Sequence, residues 1–521
     1  MTFRNQALNS FLYFTCLILF QVKTPALAAD EKAPFREVLQ LAGIDFQQLA
    51  QFGLGSEYSA DDWQLVSQIL HRLGHYPPEQ LVAWTSPTEP QQWWEQAADH
   101  LGLLCDISGQ VESLEILTVP PSLALSLAPA LAQSQARPLG STPRESQEMP
   151  VVYRCSFRSA SPKFSGTLIT RQIPSRWQAA DVVGEPVRFR GVLLQLTEDN
   201  RELRVLLLTD RLAWYPARGA PSGHLLLARH GMDVALFDEV IHRQPFVRPE
   251  ISREGEAFYG CLDAIGRVKH AELIALCREN VTYTADKWRG FQAELRVQQE
   301  SLKDQRAQAL TAEARQALDK EEAAVRQRLL VAAAVDQLSK QGQSSLGPMF
   351  LQPDAEVGEL VRIEGVARRA VRIAVPERPE IGDYYEMEVF APESKLLENR
   401  PVVCCVNRLP PGFPQGDVLR EPVRISGVFF KSWRYRTRKA VGAQGEAERR
   451  RQLYTPLLLA DVPSWINQSA PTRSPWGLWA GIAFLVALAV AWLSIAGLAR
   501  RDRRARQALR RSFKDEIELR G

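Results

Sequence analysis

Alternation of apolar and polar residues is clearest in two stretches of the chain. Val361, Ile363 and Gly365 oppose Arg362 and Glu364, and Val423, Ile425 and Gly427 oppose Arg424 and Ser426. A period of two is the mark of strands with one buried face. Continuing the pattern predicts five strands, at about 360–375, 384–390, 402–407, 422–436 and 454–460. Gly365 interrupts the first of these, and glycine tolerates the bulge or bend that would let one strand serve two sheets.

The same pattern occurs earlier in the chain. Residues 173–192 (IPSRWQAADVVGEPVRFRGV) align without a gap on 409–428 (LPPGFPQGDVLREPVRISGV) at an offset of 236, with nine identities in twenty positions. Trp177/Phe413 and Phe189/Ile425 keep their chemical type. The match continues downstream, Leu208–Trp214 against Leu459–Trp465, and upstream, Leu104–Gly109 against Leu360–Gly365. The expected fold class is therefore α+β, with two OB-like β-barrel modules, A at 102–216 and B at 347–466. Module A carries an irregular Ala/Pro/Ser-rich insertion over 121–150. Five strands with a bent first strand resemble the oligonucleotide/oligosaccharide-binding barrel. A Pro- and Gly-rich segment, 409–416, takes the place of the helix usual between strands three and four.

Elsewhere the apolar spacing is three and four. It predicts a helical N-terminal region over 29–101, where Ser59–Asp62 can cap a helix beginning near Trp63, and where Trp93 and Trp94 would join a small core. It predicts helices near 233–242, 254–265 and 269–279 within a helical segment at 217–346. Residues 284–341 lack proline and contain one glycine, Gly290. They read as one long helix or a helical hairpin, with a phase slip between Leu302 and Leu310.

Two apolar runs set the expected topology. Arg4, the run Phe11–Phe20 and Ala26-Leu27-Ala28 form the three-part pattern of a secretory signal over 1–28. After a linker at 467–475, the 24 uncharged residues 476–499 are long enough for a transmembrane helix. Arginines 500, 501, 503, 504 and 506 follow at once and favour the cytoplasmic side for the tail 500–521. The expected location is a bacterial inner membrane, crossed once, with a periplasmic ectodomain. Gly477 and Gly481 match a small-xxx-small helix seam.

Charge narrows the choice of partner. Of the net +3, the first 28 residues carry +2 and the last 22 carry +5, so residues 29–499 sum to −4. A mildly acidic ectodomain argues against a general polyanion binder. One local surface suggests otherwise: Lys431, Trp433, Arg434, Tyr435 and Arg436, joined by Arg368 and Arg369, combine aromatic planes with cations near an OB-type groove.

No catalytic motif, metal set or cofactor-binding loop is evident. His71 and His75 are four apart, without the glutamate that a zinc helix would carry. Asp383, Glu386 and Glu388 are the nearest carboxylate cluster. Cys105 and Cys155 fall on neighbouring strands, where an oxidising compartment permits a disulfide. Cys261, Cys277, Cys404 and Cys405 read as buried core.

The segments 231–240, 365–373, 383–386 and 423–435, together with Glu256-Ala-Phe-Tyr259, resemble a family of secreted, single-pass membrane proteins of planctomycete-type bacteria. That resemblance covers most of the ectodomain and implies an architecture rather than an activity. The reading is thus a membrane-anchored ectodomain that binds or scaffolds an envelope protein partner without catalysis. The alternatives are an anionic glycan or nucleic-acid binder acting through module B, and an envelope enzyme.

Overall fold

The computed structural model describes residues 35–44, 49, 58–86, 100–119, 151–160, 163–179, 184–199, 202–246, 252–395, 400–435, 453–466 and 476–518. The expected signal segment, the 121–150 insertion, Trp93, Trp94, the 467–475 linker and Arg436 lie outside these residues. The chain divides into two units, Met1–Trp465 and Ile466–Gly521.

The first unit is mixed α+β with two six-stranded sheets. Sheet A comprises β1 (Leu104–Thr118), β2 (Val151–Ala160), β3 (Lys163–Gln172), β4 (Glu185–Asp199), β5 (Glu202–Arg211) and β6 (Ala213–Trp214). Sheet B comprises β7 (Leu360–Ala374), β8 (Asp383–Phe390), β9 (Val402–Val406), β10 (Glu421–Tyr435), β11 (Leu453–Ala460) and β12 (Ser464–Trp465). The two-residue β6 and β12 are additions to the five strands expected in each module. In sheet A the order β1-β2-β3-β5-β4 returns to β1 through a β1–β4 pairing, and in sheet B the order β7-β8-β9-β11-β10 returns to β7 in the same way. The β3–β5 and β9–β11 pairs are parallel, and every other pair is antiparallel.

The two sheets share register as well as order. Cys105 faces Gly191 where Val361 faces Gly427. Tyr153 faces Thr170 where Tyr385 faces Val406. Ile169 faces Leu208 where Cys405 faces Leu459, and Val187 faces Trp214 where Val423 faces Trp465. The register shifts coincide too: Val111/Ser113 with Ala367/Arg369, and Leu193/Gln195 with Phe429/Lys431. Each sheet is finished by the same device. The Trp214 indole N–H donates to Glu185 at 2.8 Å and the Trp465 indole to Glu421 at 2.9 Å. Trp177 meets Trp214 edge-on, as Phe413 meets Trp465.

One strand serves both neighbours because a glycine sits at the crossover. β1 pairs with β4 over 104–111 and with β2 over 110–118, and β7 does the same with β10 and β8. A Cβ on Gly109 would stand 2.8 Å from the Arg158 carbonyl oxygen, and one on Gly365 would stand 2.6 Å from that of Phe390. No side chain fits where two backbones approach so closely.

Helices connect and cover the sheets. α1 (Phe35–Leu41), α2 (Ala60–His75) and α3 (Pro78–Ala83) precede sheet A. Ser59 caps α2 with a capping box: its hydroxyl accepts the Asp62 N–H, and the Asp62 carboxylate accepts the Ser59 N–H. Phe35, Leu39, Trp63, Ile69, Leu70 and Leu73 pack on the outer face of sheet A against Ile169, Val192, Leu206 and Leu208. Val205 and Leu207 of β5 point the other way into the main core, so this strand reads as a continuous apolar run.

Between the sheets come α4 (Ser222–Arg229), a 3-10 turn Val234–Glu239, α5 (Arg253–Arg267), α6 (His270–Gln308), α7 (Ala312–Ser339), α8 (Gly347–Leu351) and α9 (Pro353–Glu356). The main core is continuous from Phe157 and Phe189 in sheet A, through Phe237 and Phe258, to Phe429, Phe430 and Leu458 in sheet B. Phe258 meets Phe430 with ring centroids 5.6 Å apart and Tyr384 at the same separation.

Of the two expectations for residues 284–341, the single long helix gives way to the hairpin. α6 and α7 pack antiparallel, and the break at 309–311 falls in the phase slip between Leu302 and Leu310. Leu310 is exposed there, and Thr311 caps α7 by accepting the Ala314 N–H. Leu295, Leu302 and Val325 close one part of the seam, and Trp288, Ala332 and Val335 another.

The second unit contains α10 (Trp476–Glu518), 43 residues. It is long and apolar enough to cross a membrane. It runs on as helix from the uncharged stretch through the arginine cluster.

The shared crossover makes a paired prediction. Gly109→Ala and Gly365→Ala should each lower unfolding stability by roughly 1–3 kcal/mol, the usual range for overpacking. Equilibrium urea unfolding of the two variants checks this, and two neutral substitutions would refute the close-approach argument.

A candidate binding cleft between the sheets and helix α5

The surface expected on module B is largely committed to the interior. Across the register shift at Phe429/Lys431 both faces of β10 are covered, so Phe429, Phe430, Lys431 and Ser432 are all buried. Lys431 is therefore no groove-lining cation. It is fully buried, with Nζ 2.5 Å from the Glu254 carboxylate and 4.6 Å from the centroid of the Phe246 ring. Burial lowers the Lys431 pKa and raises that of Glu254, and their mutual attraction opposes both shifts. Trp433 is half-buried against the core, and Arg434 is half-buried near the end of β10. Tyr435 ends the strand; its side chain, like Arg436, is outside the described residues.

Arg368 is exposed and stacks on Phe390 at 4.3 Å. Arg369 pairs with Glu386, with Asp417 at 3.1 Å and with Glu388 at 3.8 Å, while Arg372 pairs with Asp383. The three carboxylates singled out in the sequence thus form a ladder of ion pairs across β7 and β8. His71 and His75 stack at the C-terminal end of α2 with centroids 6.2 Å apart. Among the described residues no three His, Cys, Asp or Glu side chains are grouped to hold a metal ion.

The Cys105–Cys155 disulfide does not form, and both thiols are free. Adjacent strands were insufficient grounds for it. Cys155 pairs with Leu114, nine residues along β1 from Cys105, while Cys105 itself faces Gly191 of β4. Burial pushes both thiols up to about 12, which suits inert core residues. Cys261, Cys277, Cys404 and Cys405 are also free and buried.

The structure instead gathers charge in a cleft of about 360 Å³ that the sequence reading did not single out. Its walls are the end of α2 and the start of α3, the outer edge of sheet A, one face of α5 and the β7–β8 turn. On β4, Val187 and Phe189 point into the core, so Arg188 and Arg190 point out beside Asp106 of β1. Arg188 grips Asp106 at 2.7 and 3.0 Å, and the Nε of Arg190 is 3.4 Å from the same carboxylate. On α5, residues 253, 256, 260, 263 and 267 recur at helical spacing and form the polar stripe opposite buried Phe258, Cys261, Leu262 and Ile265.

Most of the cleft charges are already paired. Asp210 is clasped by Arg171 and Arg253. Burial disfavours its ionised form, but Arg253 and Arg171 outweigh that and hold its carboxyl below the usual range. Arg211 meets Asp233 at 2.5 Å, and Asp233 also accepts the Trp214 N–H at 2.8 Å. Arg378 lies 3.3 Å from Glu79 and 3.8 Å from Glu380. Glu256 differs: its side chain makes no ion pair or hydrogen bond among the described residues, although its backbone N–H donates to Ser252. Burial raises its pKa and Glu79 adds to the shift, while Arg211, Arg253 and Arg378 only partly offset it.

The cleft escaped the sequence reading because its residues come from distant segments without a motif. The one available signal was the polar stripe of α5, complementary to the apolar stripe that identified the helix. Comparison with protein-family models, curated proteins and solved structures yields no match.

The Lys431–Glu254 pair is testable by double substitution. Glu254→Gln alone should cost about 3–5 kcal/mol by stranding a buried ammonium, and Glu254→Leu with Lys431→Met should recover most of that loss. Urea unfolding measures both, and a neutral Glu254→Gln variant would contradict the assignment.

Proposed function

We propose that this protein is a membrane-anchored binding protein whose ectodomain holds a small ligand in the cleft beside α5. The cyclic pairing in each sheet, with strands three and five parallel, supports reading both as OB-like barrels derived from one duplicated unit. The five arginines at the end of the apolar stretch of α10 favour a cytoplasmic tail and an ectodomain on the outer side, periplasmic in a bacterium.

One observation carries the binding reading. A single concave site takes walls from the N-terminal helices, sheet A, α5 and the turn of sheet B, all within one compact unit. Sites at such junctions, apolar in part and with a few fixed polar groups, are where small ligands usually bind. Tyr76, Pro78, Leu81 and Tyr259 supply the apolar part, and the ion pairs preorganise the rest. With five arginines set against six carboxylates, the lining offers no strong positive field to a nucleic acid or acidic glycan. Scaffolding through α6 and α7 is the second reading, favoured by exposed Val297, Leu310 and Leu330 on that hairpin.

Gly260 provides the test, because a Cβ there meets nothing closer than Met232 Cγ at 3.8 Å and a larger side chain has room to occupy the cleft. Small molecules that raise the melting temperature of the full-length protein should lose that effect in Gly260→Leu, while the unliganded melting temperature stays close to wild type. Shifts that persist in the variant, or a broad small-molecule panel producing none, would remove the cleft from the account.

A further inference from the structure

We propose that the cleft takes a small zwitterion of amino-acid to dipeptide size, its anionic end at Arg188 and Arg190 and its ammonium at Glu256. The inference rests on the binding reading above and adds the chemistry of the ligand. It follows from which charges in the cleft are left over after the internal pairs are counted.

On the sheet A side, two guanidiniums share a single carboxylate. Arg188 makes both hydrogen bonds to Asp106, and Arg190 is left with one ion-pair contact at 3.4 Å. The Nε of Arg190 is buried yet makes no hydrogen bond. That atom faces Asp106 and is closed to the cleft, but the Arg190 side chain is 32% exposed and the Arg188 side chain 55%, so an incoming carboxylate or phosphate oxygen can pair with the two guanidiniums. This corner carries one excess positive charge.

The opposite wall has the reverse imbalance. Glu256 is unpaired among the described residues, and next to it Arg378 is shared between Glu79 and Glu380. The central pairs, Arg211 with Asp233 and Arg171 and Arg253 with Asp210 and Glu239, are balanced. The cleft is thus positive at β4 and negative at α5 and the β7–β8 turn. A simple anion would satisfy the first corner and be repelled at the second, and a simple cation would meet the converse. A molecule carrying both charges meets both needs, and about 360 Å³ limits it to a few residues' worth of atoms. Tyr76 and Tyr259 line the cleft between the two charged ends.

Alanyl-alanine, its N-acetyl derivative and its amide are suitable probes, measured by titration calorimetry against the full-length protein in maltoside micelles. The free dipeptide should bind, and each blocked form should bind at least about tenfold more weakly, the loss expected from one charge-assisted contact. Glu256→Gln should weaken the free dipeptide by a similar factor and leave the N-acetyl form unchanged, because that form has no ammonium to lose. Since Glu256 has no partner to strand, this variant should fold as wild type does, which its melting temperature checks. Equal binding of the free and blocked dipeptides, or a Glu256→Gln variant that binds the free dipeptide normally, would overturn the zwitterion while leaving the cleft as a binding site. If none of the probes binds, yet other small molecules stabilise the protein in a Gly260-dependent way, the ligand class is wrong. If nothing stabilises it in that way, the binding reading falls with it.

Discussion

Two neighbouring residues in the first turn of α5 reach opposite sheets. Arg253 extends to Asp210 at the end of β5, and Glu254 extends to Lys431 in β10. Behind them the apolar stripe of the helix, Phe258, Cys261, Leu262 and Ile265, lies in the core common to both sheets. The helix has little freedom to rotate about its axis, because a turn would pull Glu254 from a fully buried ammonium and expose the stripe. Stranding such a charge costs several kcal/mol. With that face fixed, Arg253, Glu256, Gly260 and Asp263 must look outward, and what they look into is the cleft.

The matched sheets explain why the cleft has one strongly charged wall. Both sheets place an arginine at the same register position, Arg188 and Arg424, but they neutralise it differently. In sheet B, Arg424 meets Glu364 directly across the strands at 2.6 Å, so the charge is closed off locally. In sheet A the residue facing Arg188 is Ser108, so the arginine turns to Asp106, which Arg190 also needs. Three exchanges at equivalent positions, Ser108 for Glu364, Asp106 for Arg362 and Arg190 for Ser426, leave the sheet A corner with its carboxylate one pair along the strand and shared by two arginines.

The frame was legible in the sequence because it rests on local signals. Alternation placed the sheet B strands to within a residue or so of their ends, and Gly365 marked the crossover. The alignment at an offset of 236 anticipated a common register. What alternation could not convey was the bulge. By period two, Lys431 belongs with Phe429, and by composition it belongs with the solvent-facing cations around it; the inserted residue sends it to a carboxylate 177 positions earlier in the chain. The Cys105–Cys155 expectation failed for a related reason, since adjacency of strands was inferable and their register was not. The cleft assembles residues from about 73 to 380 whose only common property is position in space. Sequence periodicity contains no term for that.

The central claim is that α5 locks both sheets into one cooperative body. Hydrogen exchange read by mass spectrometry on peptides from β4 and β10, comparing wild type with an Arg253→Met variant of the full-length protein, addresses it most directly. The account predicts that breaking the contact to sheet A lowers protection in both strands together. Loss confined to β4, with β10 exchanging as in wild type, would show two independent modules and contradict it.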